Sequence, residues 1–164
     1  MSKRKIVGVM GRGEGARAGD VDLAYELGML IAENGWVLLT GGRDAGIMDS
    51  VNKGTKSRGG LTIGIIPKTT DSISEAVDIV IMTEMGGARN NINVLSSDVV
   101  VACGAGGAGT ASEIALALKA KKHVVLLNES EEAQRYFKAI GADLVHIASN
   151  PVEAVKIVGA LLGK

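Results

Sequence analysis

Seven short apolar runs alternate along the chain with segments of helical pattern, and this alternation constrains the fold more than any other feature. The runs are apolar throughout, not at every second position, which is typical of parallel strands buried on both faces by helices. They are KIVGVM (5–10), WVLLT (36–40), LTIGIIP (61–67), VDIVIM (77–82), DVVVAC (98–103), HVVLL (123–127) and DLVHIA (143–148). We therefore expect seven buried strands in one sheet.

Six segments between and after these runs carry helical patterns. They cover residues 20–35, 45–57, 89–97, 110–122, 131–141 and a last helix that opens at Asn150-Pro151, a capping residue followed by proline. No linker or break in composition interrupts the alternation, so we expect residues 1–164 to form a single domain. The predicted fold class is α/β: a Rossmann-like open, mostly parallel seven-stranded sheet with helices on both faces.

Composition excludes several classes of function. Charged residues make up 22% of the chain and the formal net charge is zero, which argues against a large nucleic-acid footprint. Aromatic residues are only 2%, too few to build a base-stacking platform, so binding of single-stranded DNA is a minor alternative. The single cysteine, Cys103, cannot form an internal disulfide, and no apolar run approaches the length of a membrane span. We expect a cytoplasmic protein without a membrane partner.

Glycine-rich segments follow three of the predicted strands, at the sheet edge where ligands bind in such folds. They are GRGEGARAG (11–19), GGRDAG (41–46) and GAGGAG (104–109). A bare turn that opens a helix presents free backbone N–H groups beside the positive end of the helix dipole, an arrangement that suits phosphate. The pattern predicts a phosphorylated small-molecule ligand. Close packing of strands against helices is the alternative reason for these glycines.

A dinucleotide site is a further alternative. Gly104, Gly106 and Gly109 match the G-x-G-x-x-G pattern, and Glu129 lies 20 residues beyond Gly109. The pattern falls at the fifth strand instead of the first, however, and the strand WVLLT does not end in the acidic residue that should bind a ribose. Dinucleotide binding therefore stays a minor interpretation.

Four motifs together resemble a known superfamily: GGRDAGIMDSV, GGLTIGIIP, GGARN and GAGGAGTASEIALALK. They are similar to those of the phosphoribohydrolases that activate cytokinins, often mislabelled lysine decarboxylases, whose hallmark is a PGGxGTxxE loop. The resemblance spans nearly the whole chain. It is closer to a sister branch that includes molybdenum-cofactor carrier proteins and uncharacterised Rossmann-fold nucleotide-binding proteins. In that branch an Arg-Asn pair, here Arg89-Asn90, precedes the glycine loop that corresponds to residues 104–109.

This resemblance implies a set of site residues. The phosphate would be held by Gly106, Gly107, Gly109 and Thr110, the pocket would be lined by Gly41, Gly42, Gly46 and Asn90, and Arg89 with Glu113 matches the hydrolases' catalytic pair. Two positions depart from the hydrolase pattern. Ala105 stands in place of the loop's proline, and Asn90 in place of a lysine. The departures favour binding or carriage of the ligand over its hydrolysis.

Glu113 has two interpretations. A carboxylate near the anomeric carbon is what hydrolysis of a ribose–base bond needs, and Arg89 could clamp a phosphate or orient that carboxylate. Alternatively, Thr110 and Glu113 have the spacing of a capping box, with Thr110 at the N-cap and Glu113 in the first helical turn. His123 and His146 have no metal-ligand spacing, so no metal site is expected.

The favoured function is a carrier or binding protein for a nucleoside 5′-monophosphate or a phosphorylated pterin such as molybdenum cofactor. The alternative is a phosphoribohydrolase that releases ribose 5-phosphate. The resemblance also implies a homo-oligomer, a dimer or tetramer; the apolar helix after Arg89 and the C-terminal helix are the candidate surfaces, and the sequence does not decide between them. The polar segment 67–76 is either a lid over the pocket or an ordinary surface connection.

Overall fold

The computed structural model describes residues 3–104 and 106–163, so Ala105 lies outside the described residues. The strands are β1 Ile6–Gly11, β2 Val37–Thr40, β3 Thr62–Ile66, β4 Ile79–Met82, β5 Val99–Cys103, β6 Val124–Leu127 and β7 Val145–Ala148. The helices are α1 Ala18–Glu33, α2 Gly46–Ser57, α3 Asn90–Ser96, α4 Ala108–Lys119, α5 Glu131–Gly141 and α6 Pro151–Leu161. Short 3-10 turns cover Gly86–Arg89 and Ala142–Leu144.

The seven strands form one sheet in the order β4-β3-β2-β1-β5-β6-β7. Every neighbouring pair is parallel, which confirms the predicted Rossmann-like α/β fold. The chain moves outward from β1 to β4 on one side and then returns to the other side of β1 for β5. Ligands bind at the carboxyl ends of strands where the order reverses, so β1 and its two neighbours define the expected site.

Two apolar clusters fill the space between the sheet and the helices, one on each face. The first joins alternate residues of β1 and β5, such as Val7 and Val101, to side chains of α1, α2 and α6. The second joins the intervening residues, such as Met10 and Ala102, to side chains of α3, α4 and α5. Helices therefore cover both faces of the sheet, as the apolar runs predict. Within the described residues, no helix is both long and apolar enough to cross a membrane.

Strand β4 departs from the expectation of burial on both faces. Its four apolar residues, Ile79 to Met82, are each between 42% and 46% exposed. The strand lies at the sheet edge, and the connection from β3 to β4 contains no helix among the described residues. The predicted burial of β4 on both faces is therefore wrong. An apolar run alone does not show whether the connection that leads into the strand contains a helix to cover it.

The N-cap of helix α4 lies three residues earlier than the sequence indicates. Gly107 is its N-cap, in an extended conformation and without a side-chain capping bond, and Ala108 is the first helical residue. Thr110 therefore lies inside the first turn and Glu113 in the second, so the predicted capping box is wrong. The cap of α6 is confirmed, because Asn150 Oδ1 accepts a hydrogen bond of 2.9 Å from the N–H of Glu153.

Candidate functional site

A cavity of about 220 Å³ opens at the carboxyl ends of the central strands. Seven predicted site residues line it together: Gly41, Arg89, Asn90, Gly107, Gly109, Thr110 and Glu113. They come from the loops that leave β2 and β5, the turn before α3, and the start of α4. The parallel sheet brings these loops to one edge, so residues far apart in the sequence share one wall.

The N-terminus of α4 forms one side of the cavity. The N–H of Ala111 donates to the Gly107 carbonyl at 2.9 Å, so the N–H groups before Ala111 have no acceptor within the helix. The first turn of α4 contains no acidic side chain that could accept hydrogen bonds from these N–H groups. A Cβ atom at Gly107 would lie 3.5 Å from Nη2 of Arg12, which places the Arg12 guanidinium beside this turn. Backbone donors, helix dipole and a cation therefore meet at one point, as anion binding requires.

Arg89, in the turn before α3, also lines the cavity. The residue is only 8% exposed, and its Nε is buried without a hydrogen-bond partner. Its guanidinium packs against the bare backbone of Gly41, where a Cβ atom would lie 2.5 Å from Nη1. Burial lowers the pKa of Arg89, and the neighbouring charge of Glu113 opposes that shift. Arg89 is thus a buried cation whose Nε has no hydrogen-bond partner among the described residues.

Glu113 lies on α4 and is 7% exposed. Its Oε1 accepts a hydrogen bond of 2.8 Å from Nδ2 of Asn93, a fully buried residue of α3. Burial raises the pKa of Glu113 to about 7, although the Asn93 hydrogen bond and the charge of Arg89 both act to lower it. A carboxyl group that titrates near neutral pH can hold or release a proton under ordinary conditions.

Asn90 bridges the two helices that flank the cavity. Its Nδ2 donates to Ser112 Oγ on α4 at 2.9 Å. This contact joins the start of α3 to the first turns of α4, and Asn90 also lines the cavity. In this chain the residue that stands in place of the hydrolases' lysine therefore makes a neutral contact between helices.

Three predicted site residues lie outside the cavity lining. Gly42 and Gly46 have positive φ angles of 71° and 51°, and a Cβ atom at either would collide with a neighbouring loop or strand. The N–H of Gly106 donates to Oε1 of Glu129 at 3.2 Å. These three glycines support the loops that surround the cavity, which agrees with the close-packing interpretation for these positions.

The segment 67–76 is hydrogen-bonded to the glycine-rich loop 41–46. The N–H of Ser74 donates to the Gly42 carbonyl at 3.0 Å, and the N–H of Asp44 donates to the Ser72 carbonyl at 3.2 Å. Ser74 Oγ also donates to Asp49 Oδ1 at 2.7 Å, on the first turn of α2. These bonds favour the interpretation of an ordinary connection over that of a lid.

Sequence reasoning missed three functional candidates: Arg12, Met48 and Asn93. Arg12 and Met48 line the cavity, and Asn93 contacts Glu113 beneath it. Arg12 had a usable signal, because it is the residue after β1 in the first glycine segment. Asn93 had only a weak one, a polar side chain between the apolar residues Ile92 and Val94.

The two histidines, each interpreted alone from the sequence, meet away from the cavity. Nδ1 of His123 lies 3.0 Å from Nε2 of His146 on β7. Across residues 3–104 and 106–163, no group of three or more histidine, cysteine, aspartate or glutamate side chains could hold a metal ion.

Comparison with known proteins places this geometry in context. A model of the SLOG cluster4 family matches residues 4–155. The solved structure of the molybdenum cofactor binding protein from Rippkaea orientalis is 52% identical, covers 99% of each chain and has a TM-score of 0.95. The molybdenum cofactor carrier protein from Chlamydomonas reinhardtii is 50% identical, with 99% of this chain and 100% of that chain covered and a TM-score of 0.94.

A more distant relative is an enzyme. The cytokinin riboside 5′-monophosphate phosphoribohydrolase of Mycobacterium tuberculosis is 33% identical over 97 residues, which are 57% of this chain and 51% of the enzyme. The match thus spans about half of that enzyme's length. Together the comparisons confirm the resemblance to the phosphoribohydrolase superfamily and to its branch of molybdenum-cofactor carriers.

Proposed function

The chain belongs to the SLOG cluster4 family, and we propose that it binds and carries a phosphorylated small molecule in the cavity beside β1. One observation carries the proposal. A buried arginine, Arg89, has an Nε without a partner in the same cavity as an open helix N-terminus. The likeness to two solved proteins that bind or carry molybdenum cofactor supports a carrier role.

The energetics of Arg89 favour an anionic ligand. A charge removed from water without a partner destabilises a protein by several kcal/mol. A phosphate in the cavity would supply acceptor oxygens to the planar guanidinium, which presents donors in a fork that matches phosphate geometry. The ligand would then offset the unfavourable burial.

The ligand we propose is a nucleoside 5′-monophosphate or a phosphorylated pterin such as molybdenum cofactor. Its phosphate would accept from the N–H groups of Ala108, Gly109 and Thr110 and from the guanidinium groups of Arg12 and Arg89, which line the same cavity. The remainder would extend across Gly11 and Gly13 towards Gly41. No cysteine or histidine is among the described residues that line the cavity. A molybdenum cofactor carried here would be held through its phosphate by these donors.

A second candidate function, hydrolysis of a nucleoside 5′-monophosphate at its N-glycosidic bond, is favoured by Glu113. The bond breaks through an oxocarbenium-like transition state, which a carboxylate stabilises directly or by activating water. A pKa of about 7 lets Glu113 deliver or accept a proton near neutral pH. Asn93 would fix the orientation of the carboxyl group, and Arg89 would hold the phosphate.

Binding and turnover are separated by one experiment on purified protein. Adenosine 5′-monophosphate is titrated by calorimetry, and the same samples are then assayed for free ribose 5-phosphate. We expect binding that weakens at least about tenfold in Arg89→Gln, because a charged hydrogen bond is lost. The matched control is Arg135→Gln, on the exposed surface of α5, which should bind like the wild type.

The assay decides between the two functions. No ribose 5-phosphate together with retained binding supports a carrier. Release of ribose 5-phosphate that is abolished in Glu113→Gln, with binding retained, supports the hydrolase. Absence of binding to adenosine 5′-monophosphate, and to a phosphorylated pterin titrated in the same way, would contradict both.

A further inference from the structure

We propose that the cavity binds its anionic ligand together with a proton on Glu113, so that the protein loads the ligand at neutral or lower pH and releases it as the pH rises. The inference rests on the proposed function, because it assigns a form of regulation to the same cavity. A carrier has no hydrolytic step in which Glu113 could act, and proton uptake gives this buried carboxyl group a function there.

Glu113 is the only acidic side chain among the described residues that line the cavity. The cations in that lining are Arg12, from the loop after β1, and Arg89, from the turn before α3. The polar partners nearest to the carboxyl group on the two helices are neutral, since Asn93 on α3 donates to it and Thr110 on α4 shares the lining. An ionised Glu113 is therefore the one charge in this lining that opposes an incoming anion.

The carboxyl group and the proposed phosphate site belong to the same helix. Helix α4 starts at Ala108, and Glu113 lies five residues further along, about 8 Å at the usual helical rise. Glu113 is only 7% exposed, so little water screens its charge. Two like charges at such a separation repel each other more strongly in a buried site than in water. A bound phosphate and an ionised Glu113 therefore disfavour each other.

This repulsion links the ligand to a proton. Burial raises the pKa of Glu113 to about 7 in the protein without ligand, while the Asn93 hydrogen bond and the charge of Arg89 act to lower it. The charges of Arg43 and Asp71 act in turn on Arg89, in opposite directions. A phosphate bound to Arg89 would offset the effect of that cation on Glu113 and add a negative charge, so the pKa of Glu113 would rise further. By reciprocity, protonation of Glu113 strengthens phosphate binding by the same factor.

Asn93 can serve both forms of the carboxyl group. Its Nδ2 donates to Glu113 Oε1 at 2.8 Å, the contact that an ionised carboxylate accepts. Its Oδ1 is buried without a hydrogen-bond partner. A protonated carboxyl group carries an O–H donor, and a rotation of the Asn93 amide would present Oδ1 to it. The fully buried amide thus offers a partner to Glu113 in either protonation state.

The first test measures proton uptake by the wild type. Adenosine 5′-monophosphate is titrated by calorimetry at pH 8 in two buffers that differ in ionisation enthalpy. The phosphate is already a dianion at this pH, because its second pKa is about 6, so the uptake reports on the protein. We expect about half a proton to be taken up per ligand bound, because most Glu113 is ionised before binding and less of it afterwards. This measurement requires no variant.

The second test assigns the proton to Glu113. Between pH 7 and pH 9 the affinity of the wild type for adenosine 5′-monophosphate should fall about tenfold, which corresponds to a rise of roughly one unit in the pKa on binding. Glu113→Gln resembles the protonated form, so its affinity should change little over this range and it should take up no proton. The exposed control Glu132→Gln should behave like the wild type. Thermal melting at both pH values shows whether each protein is folded.

Binding by the wild type without proton uptake, and with equal affinity at both pH values, would overturn the proton-coupled proposal and leave the proposed function standing. Uptake or a pH dependence that persists in Glu113→Gln would also overturn it, because another group would then hold the proton. Failure of the wild type to bind adenosine 5′-monophosphate at either pH would instead count against the proposed function itself.

Discussion

Gly41 has no side chain, and this allows the charged guanidinium of Arg89 to pack directly against its backbone. The Arg89 guanidinium occupies the space that a Cβ atom would fill, and the sulfur of Met48 lies 2.7 Å from the same point. The sequence pattern predicted that the glycine loop approaches a ligand. The structure adds that Gly41 also admits a buried cation, which no single-sequence pattern could reveal because the two residues are 48 positions apart.

We predict that Gly41→Ala weakens binding of adenosine 5′-monophosphate by about tenfold and destabilises the protein by about 1–3 kcal/mol. The added methyl group would collide with Arg89 and Met48 and displace the guanidinium. Calorimetry measures the first effect and urea unfolding the second. Gly19→Ala is the control, since nothing lies within 4 Å of a Cβ atom there. Wild-type affinity in Gly41→Ala would contradict the role given to Arg89.

Glu113 makes stability depend on pH. Its pKa is about 7 in the folded protein and 4.5 in a model compound, so its contribution is fully present below about pH 4.5 and is lost as the pH rises through 7. We predict that Glu113→Gln, which keeps an acceptor for Asn93, gains up to about 3 kcal/mol over the wild type at pH 8 and little at pH 4.5.

Urea unfolding of both proteins at the two pH values measures this difference. Glu132→Gln on the exposed face of α5 is the control. An advantage of Glu113→Gln that is the same at both pH values would show that its carboxyl group is not the buried titrating group.

Most strands and helices could be predicted from the sequence, because continuous apolar runs indicate buried strands and amphipathic patterns indicate helices with one buried face. The start of α4 could not. Gly107, Ala108 and Gly109 contain no side chain that signals a helix start, whereas Thr110 does, and the backbone begins the helix earlier. The error changed the interpretation of Glu113 from a capping residue to a buried carboxyl group that contacts Asn93.

Strand β4 leaves an apolar edge without cover in a single chain. Such edges associate with other chains unless charge or a covering element blocks them. We propose that a second copy of the chain covers β4, in a dimer or a tetramer. This differs from the sequence-based expectation, which assigned the interface to the helix after Arg89 or to the C-terminal helix.

We predict that Ile81→Lys lowers the mass measured by light scattering towards that of a single chain, because a charge would be buried at the interface. Val152→Lys, on an exposed position of α6, should keep the wild-type mass. A single-chain mass for the wild type would contradict the proposal, as would an unchanged mass for Ile81→Lys.

On the scale of the whole molecule, the sheet order concentrates the site beside β1. The sequence could predict the sheet and the glycine-rich loops that follow its strands, and it could therefore place several candidate residues at one edge. It named Arg89 through the family resemblance and missed Arg12, although both line the cavity from different loops. The local sequence pattern predicts the loops, whereas only the tertiary structure shows which side chains meet in the cavity.

A ligand that binds only the folded protein should stabilise the whole domain. We predict that adenosine 5′-monophosphate at 100 times its dissociation constant raises the free energy of unfolding by about 2.7 kcal/mol. At that same concentration, Arg89→Gln should gain much less, while Arg135→Gln should gain as much as the wild type. Equal stabilisation of the wild type and Arg89→Gln would exclude the cavity as the binding site.

The most direct test is a crystal structure of the protein with adenosine 5′-monophosphate at saturating concentration. The account predicts density for the phosphate within hydrogen-bond distance of the N–H groups of Ala108, Gly109 and Thr110 and of the guanidinium of Arg12 or Arg89. A cavity without ligand density, or a phosphate bound elsewhere on the chain, would contradict it.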